Sequence, residues 1–322
     1  MLNISNSSAS LIDIGIAMHP WFSHTPTIDR PNVTVPIFDD VKGLEDWLAQ
    51  AEKNVPDIRT DCGAKLNWFQ GPHKTPYSVV FVHGFSASPS ECNPFPQKLA
   101  LKLNANLYLA RLKGHGRTPE AMLEGTLQGW LNDTATALQI GQQLGHNIIA
   151  IGCSTGAALL VLLAARYGIQ PNMLCLISPS FANANRSSRL LEYRGRRLLL
   201  RLAMGPTRTW ESSNPDVNRI WTNSYPSPAI LPYIDTMRLL RRTTCHAITC
   251  PTLTFAAPQD QLVCFASAQR RLAEFSGPCQ LYPIYTSEEP LQHNIVGSVL
   301  SPSTLDECLD KTLRFIQRTA LI

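Results

Sequence analysis

The strongest chemical signal in this chain of 322 residues is a short motif around one serine. Residues 152–156 read Gly-Cys-Ser-Thr-Gly and fit the pattern Gly-x-Ser-x-Gly. A turn of this kind between a buried strand and a helix lifts the Oγ atom of Ser154 above the edge of a sheet, and Gly152 and Gly156 allow its strained backbone. The motif alone is a weak signal. Because an apolar stretch leads directly into it and another leads out, we predict that Ser154 is a nucleophile.

A serine hydroxyl needs a base to remove its proton, and the base needs an acid to orient it. After a serine in such a turn, the acid and then the histidine follow in the chain. Only His246 and His293 come after Ser154. His293 follows the last predicted strand, whereas His246 precedes a predicted strand, so His293 is the favoured base.

Asp260 is the favoured acid because it follows the predicted strand at 252–256. The competing interpretation is that Asp260 only caps the next helix. Glu288 and Glu289 are close to His293 in sequence, but we expect them to lie in a solvated loop.

Acyl transfer also needs N–H donors for an oxyanion. The residue after the nucleophile, Thr155, can supply one backbone N–H. The second is expected from the loop after the first long buried strand, where His83 and Gly84 precede Phe85. Gly84 lets the backbone approach closely, so Phe85 is predicted to be the second donor.

Apolar stretches and amphipathic stretches alternate along the chain, which predicts parallel strands with helices on both faces of the sheet. The predicted strands are 64–69, 77–82, 106–112, 147–151, 173–177, 252–256 and 280–284. The predicted helices are 44–52, 90–103, 127–144, 157–167, 264–275 and 303–318.

The alternation stops between residues 182 and 246, where no strand is evident and arginine-rich helical pieces take over. We interpret this segment as an inserted helical cap. It contains eleven arginines and four acids, whereas the whole chain has a net charge of only +4. Arg194, Arg197 and Arg201 share one face of a predicted amphipathic helix. They are candidates for binding an anionic substrate or a membrane surface, and a solvated outer face is the alternative.

Composition excludes several other classes. Hydrophobic residues make up 44% and charged residues 16%, which is typical of a globular protein with a sizeable core. The net charge is too small to indicate nucleic acid, and no apolar run of 18 residues predicts a membrane span. Metal-binding spacings and an N-terminal signal-peptide pattern are absent. Nine scattered cysteines are typical of reduced thiols. Cys153, which precedes Ser154, is interpreted as a buried inert thiol, and a thiol that senses oxidation is the alternative. We therefore expect a cytoplasmic protein without metal or cofactor.

Taken together, these motifs resemble the α/β-hydrolase superfamily, most closely its bacterial carboxylesterase and monoacylglycerol lipase branch. Besides the residues above, the loop 114–116 (Gly-His-Gly) and Trp130 contribute to the resemblance, which covers about residues 63–180 and 250–318. It implies an eight-stranded, mostly parallel sheet with an inserted cap, a triad of Ser154, Asp260 and His293, and a structural role for His115. The implied organisation is an N-terminal extension (1–60), a core (61–181 and 247–322) and a cap (182–246).

The resulting hypothesis is a serine hydrolase of carboxylic esters, of carboxylesterase or lipase type, acting on a small molecule such as an acyl-glycerol or lysophospholipid. A peptidase or a carbon–carbon bond hydrolase of the same fold would use the same triad. A non-catalytic protein that binds a ligand in the same pocket is the alternative from another class. Neither the oligomeric state nor the natural substrate follows from the sequence.

Overall fold

The computed structural model describes residues 28–38, 41–193, 195–212 and 214–319. Its strands are β1 (Lys65–Asn67), β2 (Thr75–Val82), β3 (Asn106–Ala110), β4 (Gly145–Cys153), β5 (Met173–Ile177), β6 (Thr207–Thr209), β7 (Ser224–Pro226), β8 (Thr252–Ala256) and β9 (Cys279–Pro283). Its α-helices are α1 (Val41–Lys53), α2 (Phe95–Lys102), α3 (Leu127–Leu144), α4 (Thr155–Tyr167), α5 (Arg196–Met204), α6 (Pro215–Ile220), α7 (Leu231–Arg241), α8 (Phe265–Leu272) and α9 (Leu305–Arg318). No helix in these ranges is long and apolar enough to span a membrane.

Seven strands form the main sheet in the spatial order β1-β3-β2-β4-β5-β8-β9. β1 is antiparallel to β3, and every other neighbouring pair in this sheet is parallel. The predicted α/β-hydrolase fold is confirmed, but the strand count implied by the resemblance is eight and the observed sheet has seven. The described chain before β1 contains α1 and turns, and its prolines cannot donate to a ladder of strand hydrogen bonds.

The core has two parts, one on each face of this sheet. α3 and α4 cover one face, where Trp130, Leu131 and Leu159 are fully buried. α2 and α9 contribute to the other, where Phe95 and Ile316 are buried. β3, β5 and β8 are buried along their whole length, and β5 is accordingly apolar throughout. The other two strands also bury polar side chains, namely Asn106 in β3 and Thr252 and Thr254 in β8.

The described part of the N-terminal extension lies against the core. The side chain of Gln139 on α3 accepts a hydrogen bond from the N–H of Val35 and donates one to the carbonyl of Val33. Leu44 of α1 is fully buried, and Glu52 forms a two-pronged ion pair with Arg111.

Between residues 182 and 246 the structure has two 3₁₀ turns, three helices and one small antiparallel sheet of β6 and β7. The prediction that this segment has no strand is therefore wrong. Each of these strands has three residues, which is too short for a periodic pattern to reveal. α7 packs against α4 and α3 and so joins this segment to the sheet's helical layer.

Candidate functional site

Ser154 stands at the turn between β4 and α4 with a backbone φ of 51° and ψ of −109°. A non-glycine residue at positive φ is uncommon and carries backbone strain. The N–H of Ser154 donates to the carbonyl of Ile177, 2.8 Å away, which ties the turn to β5. A Cβ atom on Gly156 would lie 2.1 Å from the carbonyl oxygen of Val82, so only glycine lets α4 start this close to β2. The backbone therefore requires glycine at both ends of the motif, at Gly152 and at Gly156.

His293 and Asp260 both lie at the Ser154 hydroxyl, although 139 residues separate Ser154 from His293 in the chain. Nε2 of His293 is 2.9 Å from Oγ of Ser154, and Nδ1 is 2.7 Å from Oδ2 of Asp260. Because a carboxylate oxygen can only accept, Nδ1 carries the proton and Nε2 is free to accept from the serine. His293 and Ser154 are only 6% and 7% exposed. This arrangement can transfer a proton from Ser154 to His293.

Burial is the largest single influence on the pKa of His293 and opposes its protonation, whereas the hydrogen bond and the charge of Asp260 favour protonation. Smaller contributions come from the charges of Glu91 and Glu289, and together these carboxylates raise the pKa of His293 above its ordinary value of 6.5. The imidazolium form is therefore stabilised at the position where it would arise during proton transfer.

The interpretation of Asp260 as a helix cap is wrong, because α8 begins at Phe265 and its N-cap residue is Cys264. While Oδ2 faces His293, Oδ1 accepts hydrogen bonds of 2.8 Å from the N–H groups of Leu262 and Val263. The carboxylate is thereby fixed in one orientation.

Glu289 does not lie in a solvated loop, so that expectation is wrong for this residue. It is 6% exposed, and its carboxylate accepts from the backbone N–H groups of Leu291, His293 and Asn294. Glu288 is exposed, as expected. Glu289 holds the loop that presents His293, a role that depends on the loop's conformation and not on spacing.

The loop after β2 is held in place from both sides. Nε2 of His83 accepts from the N–H of Leu112, so its Nδ1 carries the proton and donates to the carbonyl of Gly84, 2.8 Å away. Burial holds the pKa of His83 well below its ordinary value. In the described part of the chain, the backbone N–H groups of Phe85 and Thr155 donate no hydrogen bond, so both remain available to a ligand.

Glu91 lies beside this loop, and no sequence pattern marks it as part of the site. Its Oε2 accepts from the N–H of Gly84 at 2.6 Å, and the side chain is 5% exposed. A Cβ atom on Gly84 would lie 2.9 Å from Oε1 of Glu91 and 3.1 Å from Cβ of Ser154, so the carboxylate and the serine flank this glycine. Burial raises the pKa of Glu91 to about 6, and the hydrogen bond from Gly84 and the charge of His293 offset only part of this rise.

Ser180 is a second residue that sequence reasoning missed. Its Oγ is 3.0 Å from Oγ of Ser154, and its N–H donates to the Ser154 carbonyl. A hydroxyl at this distance can donate to or accept from Ser154.

His115 and Cys153 lie near the motif, but their side chains form no hydrogen bond with the side chains of Ser154, His293 or Asp260. His115 is 1% exposed, packs edge-on against His83, and burial lowers its pKa to about 4. Cys153 is fully buried, and its pKa is raised by a hydrogen bond to Cys92 and by burial. With Glu91, these two thiols form a group of three potential metal ligands within 4.8 Å in the described chain. A metal would need thiolates, which this environment disfavours.

Among the described residues, no hydrogen bond or ion pair joins Ser154 to the arginines predicted to share one helix face. Arg194 lies outside the described residues. Arg197 and Arg201 are exposed on α5, and their side chains make no hydrogen bond or ion pair with a described residue. Two leucines of the same helix, Leu198 and Leu202, are 62% and 76% exposed, so they do not pack on the core.

Comparison with known proteins agrees with this geometry. Residues 79–293 match the model of the alpha/beta hydrolase family. A thermostable monoacylglycerol lipase from Bacillus sp. (strain H-257) is 27% identical over 198 residues, which are 58% of this chain and 72% of the relative. Among solved structures, a metagenome-derived lipolytic enzyme has a TM-score of 0.63 at 19% identity, covering 81% of this chain and all of that one.

The monoglyceride lipase of Saccharomyces cerevisiae, as a soluble variant with a substrate analogue, has a TM-score of 0.60 at 10% identity and covers 80% of this chain and 91% of its own. The monoacylglycerol lipase of Paleococcus ferrophilus has a TM-score of 0.56 at 13% identity and covers 79% and 97%. At these identities the structural likeness concerns the fold alone, whereas the family match spans most of the chain and includes Ser154, Asp260 and His293. The chain belongs to the alpha/beta hydrolase family.

Proposed function

We propose that this protein is a serine hydrolase that cleaves carboxylic esters through an acyl-enzyme on Ser154. The proposal rests on two consecutive hydrogen bonds that link Ser154 to Asp260 through His293. The first joins Ser154 Oγ and His293 over 2.9 Å, and the second joins His293 and Asp260 over 2.7 Å. Nucleophile, base and orienting acid are then in mutual reach, as acyl transfer requires. Lipase and esterase relatives support the same class of reaction.

In the proposed reaction, His293 takes the proton of Ser154 as its Oγ attacks the ester carbonyl. The N–H groups of Phe85 and Thr155 stabilise the tetrahedral oxyanion, and Asp260 stabilises the imidazolium. His293 then protonates the leaving alcohol. Water, activated by His293, attacks the acyl-enzyme and regenerates Ser154.

An apolar acyl group is the substrate part that the surroundings favour. The Phe85 ring packs against the rings of Tyr225 and Tyr233, with centroids 5.4 Å and 5.6 Å apart, and against a buried cluster that includes Met122. This wall adjoins the proposed oxyanion donors and offers apolar surface to a carbon chain. Together with the monoacylglycerol lipase relative, it supports an acyl-glycerol or a related monoacyl lipid as the substrate class.

The test is covalent labelling with a fluorophosphonate probe, read by intact mass. We expect one adduct on the wild-type protein, no adduct on Ser154→Ala and a retained adduct on Ser180→Ala. Ser180 is a matched control because its hydroxyl lies 3.0 Å from that of Ser154. A folded wild-type protein that resists the probe would contradict the proposal and favour a ligand-binding protein without catalysis.

Substrate class is tested with p-nitrophenyl esters of increasing chain length beside a peptide amide and a β-diketone. Ester hydrolysis that Ser154→Ala abolishes supports the proposal. Turnover of the amide or the β-diketone with inert esters would instead identify a peptidase or a carbon–carbon bond hydrolase.

We further propose that α5 contacts lipid or anionic substrate, with Leu198 and Leu202 meeting apolar chains and Arg197 and Arg201 meeting negative charge. Their exposure supports this role. Replacing both leucines by serine should reduce sedimentation with anionic vesicles. Equal kcat/KM for neutral and anionic esters of one chain length at low salt would rule out the substrate-binding role of the arginines.

A further inference from the structure

A cavity of about 280 Å³ lies apart from Ser154, between the 3₁₀ turn Arg186–Glu192, α7 and α8. Four of its lining residues are arginines, namely Arg186, Arg189, Arg241 and Arg270. All four side chains are exposed at its rim, so solutes can reach them from solvent. The cavity therefore concentrates positive charge on one small concave surface.

The charges around this cavity are not balanced by protein groups. Glu192 is the single acid among the described lining residues, and its carboxylate already accepts a hydrogen bond from Arg241. Within the described chain, the side chains of Arg186, Arg189 and Arg270 make no hydrogen bond and no ion pair. Guanidinium groups held together in this way repel one another, and a bound anion would remove that repulsion.

The turn that carries two of the arginines is anchored at both of its ends. Before it, the N–H of Ala184 donates to the carbonyl of Leu262, and Asn183 forms a β-bridge with Val263. At its end, Nη1 of Arg238 donates to the carbonyl of Glu192, 2.9 Å away. The arginine positions are thus set by the fold and not by a free loop.

We propose that this cavity binds a small phosphate-bearing anion. Guanidinium groups match phosphate oxygens with paired, charge-assisted hydrogen bonds, and several converging arginines favour phosphate over a single carboxylate. The cavity volume of about 280 Å³ is just below the range typical of ligand pockets, about 300–1,000 Å³, which suits a small group. Ile234 and Met237 supply apolar wall for a short carbon portion. This inference does not depend on the hydrolase proposal, because none of the triad residues lines the cavity.

The experiment is calorimetric titration of the intact protein with inorganic phosphate at about 0.15 M NaCl, which screens interactions between distant surface charges. We expect saturable binding that weakens at least tenfold in Arg186→Gln/Arg189→Gln, since hydrogen bonds to charged groups typically contribute about tenfold each. Arg314→Gln/Arg318→Gln is the matched control. It removes two exposed arginines from α9, outside the cavity, and should bind phosphate as the wild type does.

Lipid headgroups and free phosphates share this chemistry, and a second probe separates them. Vesicles of phosphatidylcholine with and without phosphatidic acid are sedimented with the same three proteins. Loss of vesicle binding only in Arg186→Gln/Arg189→Gln would indicate a lipid headgroup. Loss of phosphate binding in this variant while its vesicle binding equals that of the wild type would indicate a soluble anion. The proposal is overturned if neither probe binds, or if both double variants lose binding equally while circular dichroism shows that each is folded.

Discussion

Replacing Glu91 by glutamine should stabilise the protein at alkaline pH but not at acid pH. Burial raises the pKa of Glu91 from 4.5 to about 6, with the Gly84 hydrogen bond and the charge of His293 partly offsetting it. The folded-state pKa is therefore above the unfolded value. The stability that the neutral carboxyl contributes is fully present below pH 4.5 and is lost as the pH rises through 6.

The size of the effect follows from the two pKa values. A difference of about 1.5 between them corresponds to about 2 kcal/mol of unfolding free energy. Because Glu91 is only 5% exposed, solvent screening reduces this figure little. Glutamine keeps an oxygen that can accept from the N–H of Gly84, but it also alters the hydrogen bonds of this side chain with Cys153 and Trp221. The effect of the charge is therefore isolated by comparing the two proteins at two pH values.

The measurement is urea unfolding of both proteins at pH 4.5 and at pH 8, analysed by linear extrapolation. The variant should gain about 2 kcal/mol over the wild type between these pH values. Glu120→Gln, at an exposed position, controls for the loss of one surface carboxylate. A stability difference between Glu91→Gln and wild type that is the same at both pH values would refute the reasoning, since burial of a charged carboxylate would then carry no cost.

Other perturbations address the same site and its support. Asp260→Asn should lower kcat for p-nitrophenyl butyrate by about 10⁴, because Nδ1 of His293 loses its acceptor; unchanged kcat would contradict the triad. The pH–rate profile of kcat/KM should fall on the acid side of a pKa above 6.5, since His293 must be neutral to act as a base; a lower midpoint would count against this. Gly156→Ala should cost about 1–3 kcal/mol or more in urea unfolding, because the added Cβ meets a backbone oxygen at 2.1 Å. Arg196→Met should destabilise by about 3–5 kcal/mol, because Asp235, 6% exposed, loses its bidentate partner; a smaller loss would indicate that Asp235 is solvated.

The parts of the site that follow from sequence are those encoded by local pattern and chain order. Ser154 stands out because a buried strand and a helix flank its motif within 25 residues, and both elements form as predicted. The sequence predicts Asp260 and His293 as partners of Ser154 because each follows a strand, and parallel strands bring their ends to one edge of a sheet. Their roles in a reaction stay a prediction.

The residues that sequence reasoning missed have no local signal. Glu91 and Ser180 are significant only because the turns after β2 and β5 bring them beside Ser154. Glu289 reads as one of two acids in a polar loop, and its burial depends on three backbone N–H groups that converge only in the folded loop. The small sheet of β6 and β7 is likewise a product of tertiary contacts, because three-residue strands carry no periodicity.

Two local costs to stability meet at Gly84. On one side, Ser154 has a backbone conformation that costs of order 1–3 kcal/mol for a residue with a side chain. On the other, Glu91 is buried at a cost that grows with its ionisation. Neither feature improves packing, and a core of this size could bury an apolar residue in place of Glu91 without that cost. The fold keeps both beside the hydrogen-bonded side chains of Ser154, His293 and Asp260, which is the pattern expected where stability is given up for chemistry.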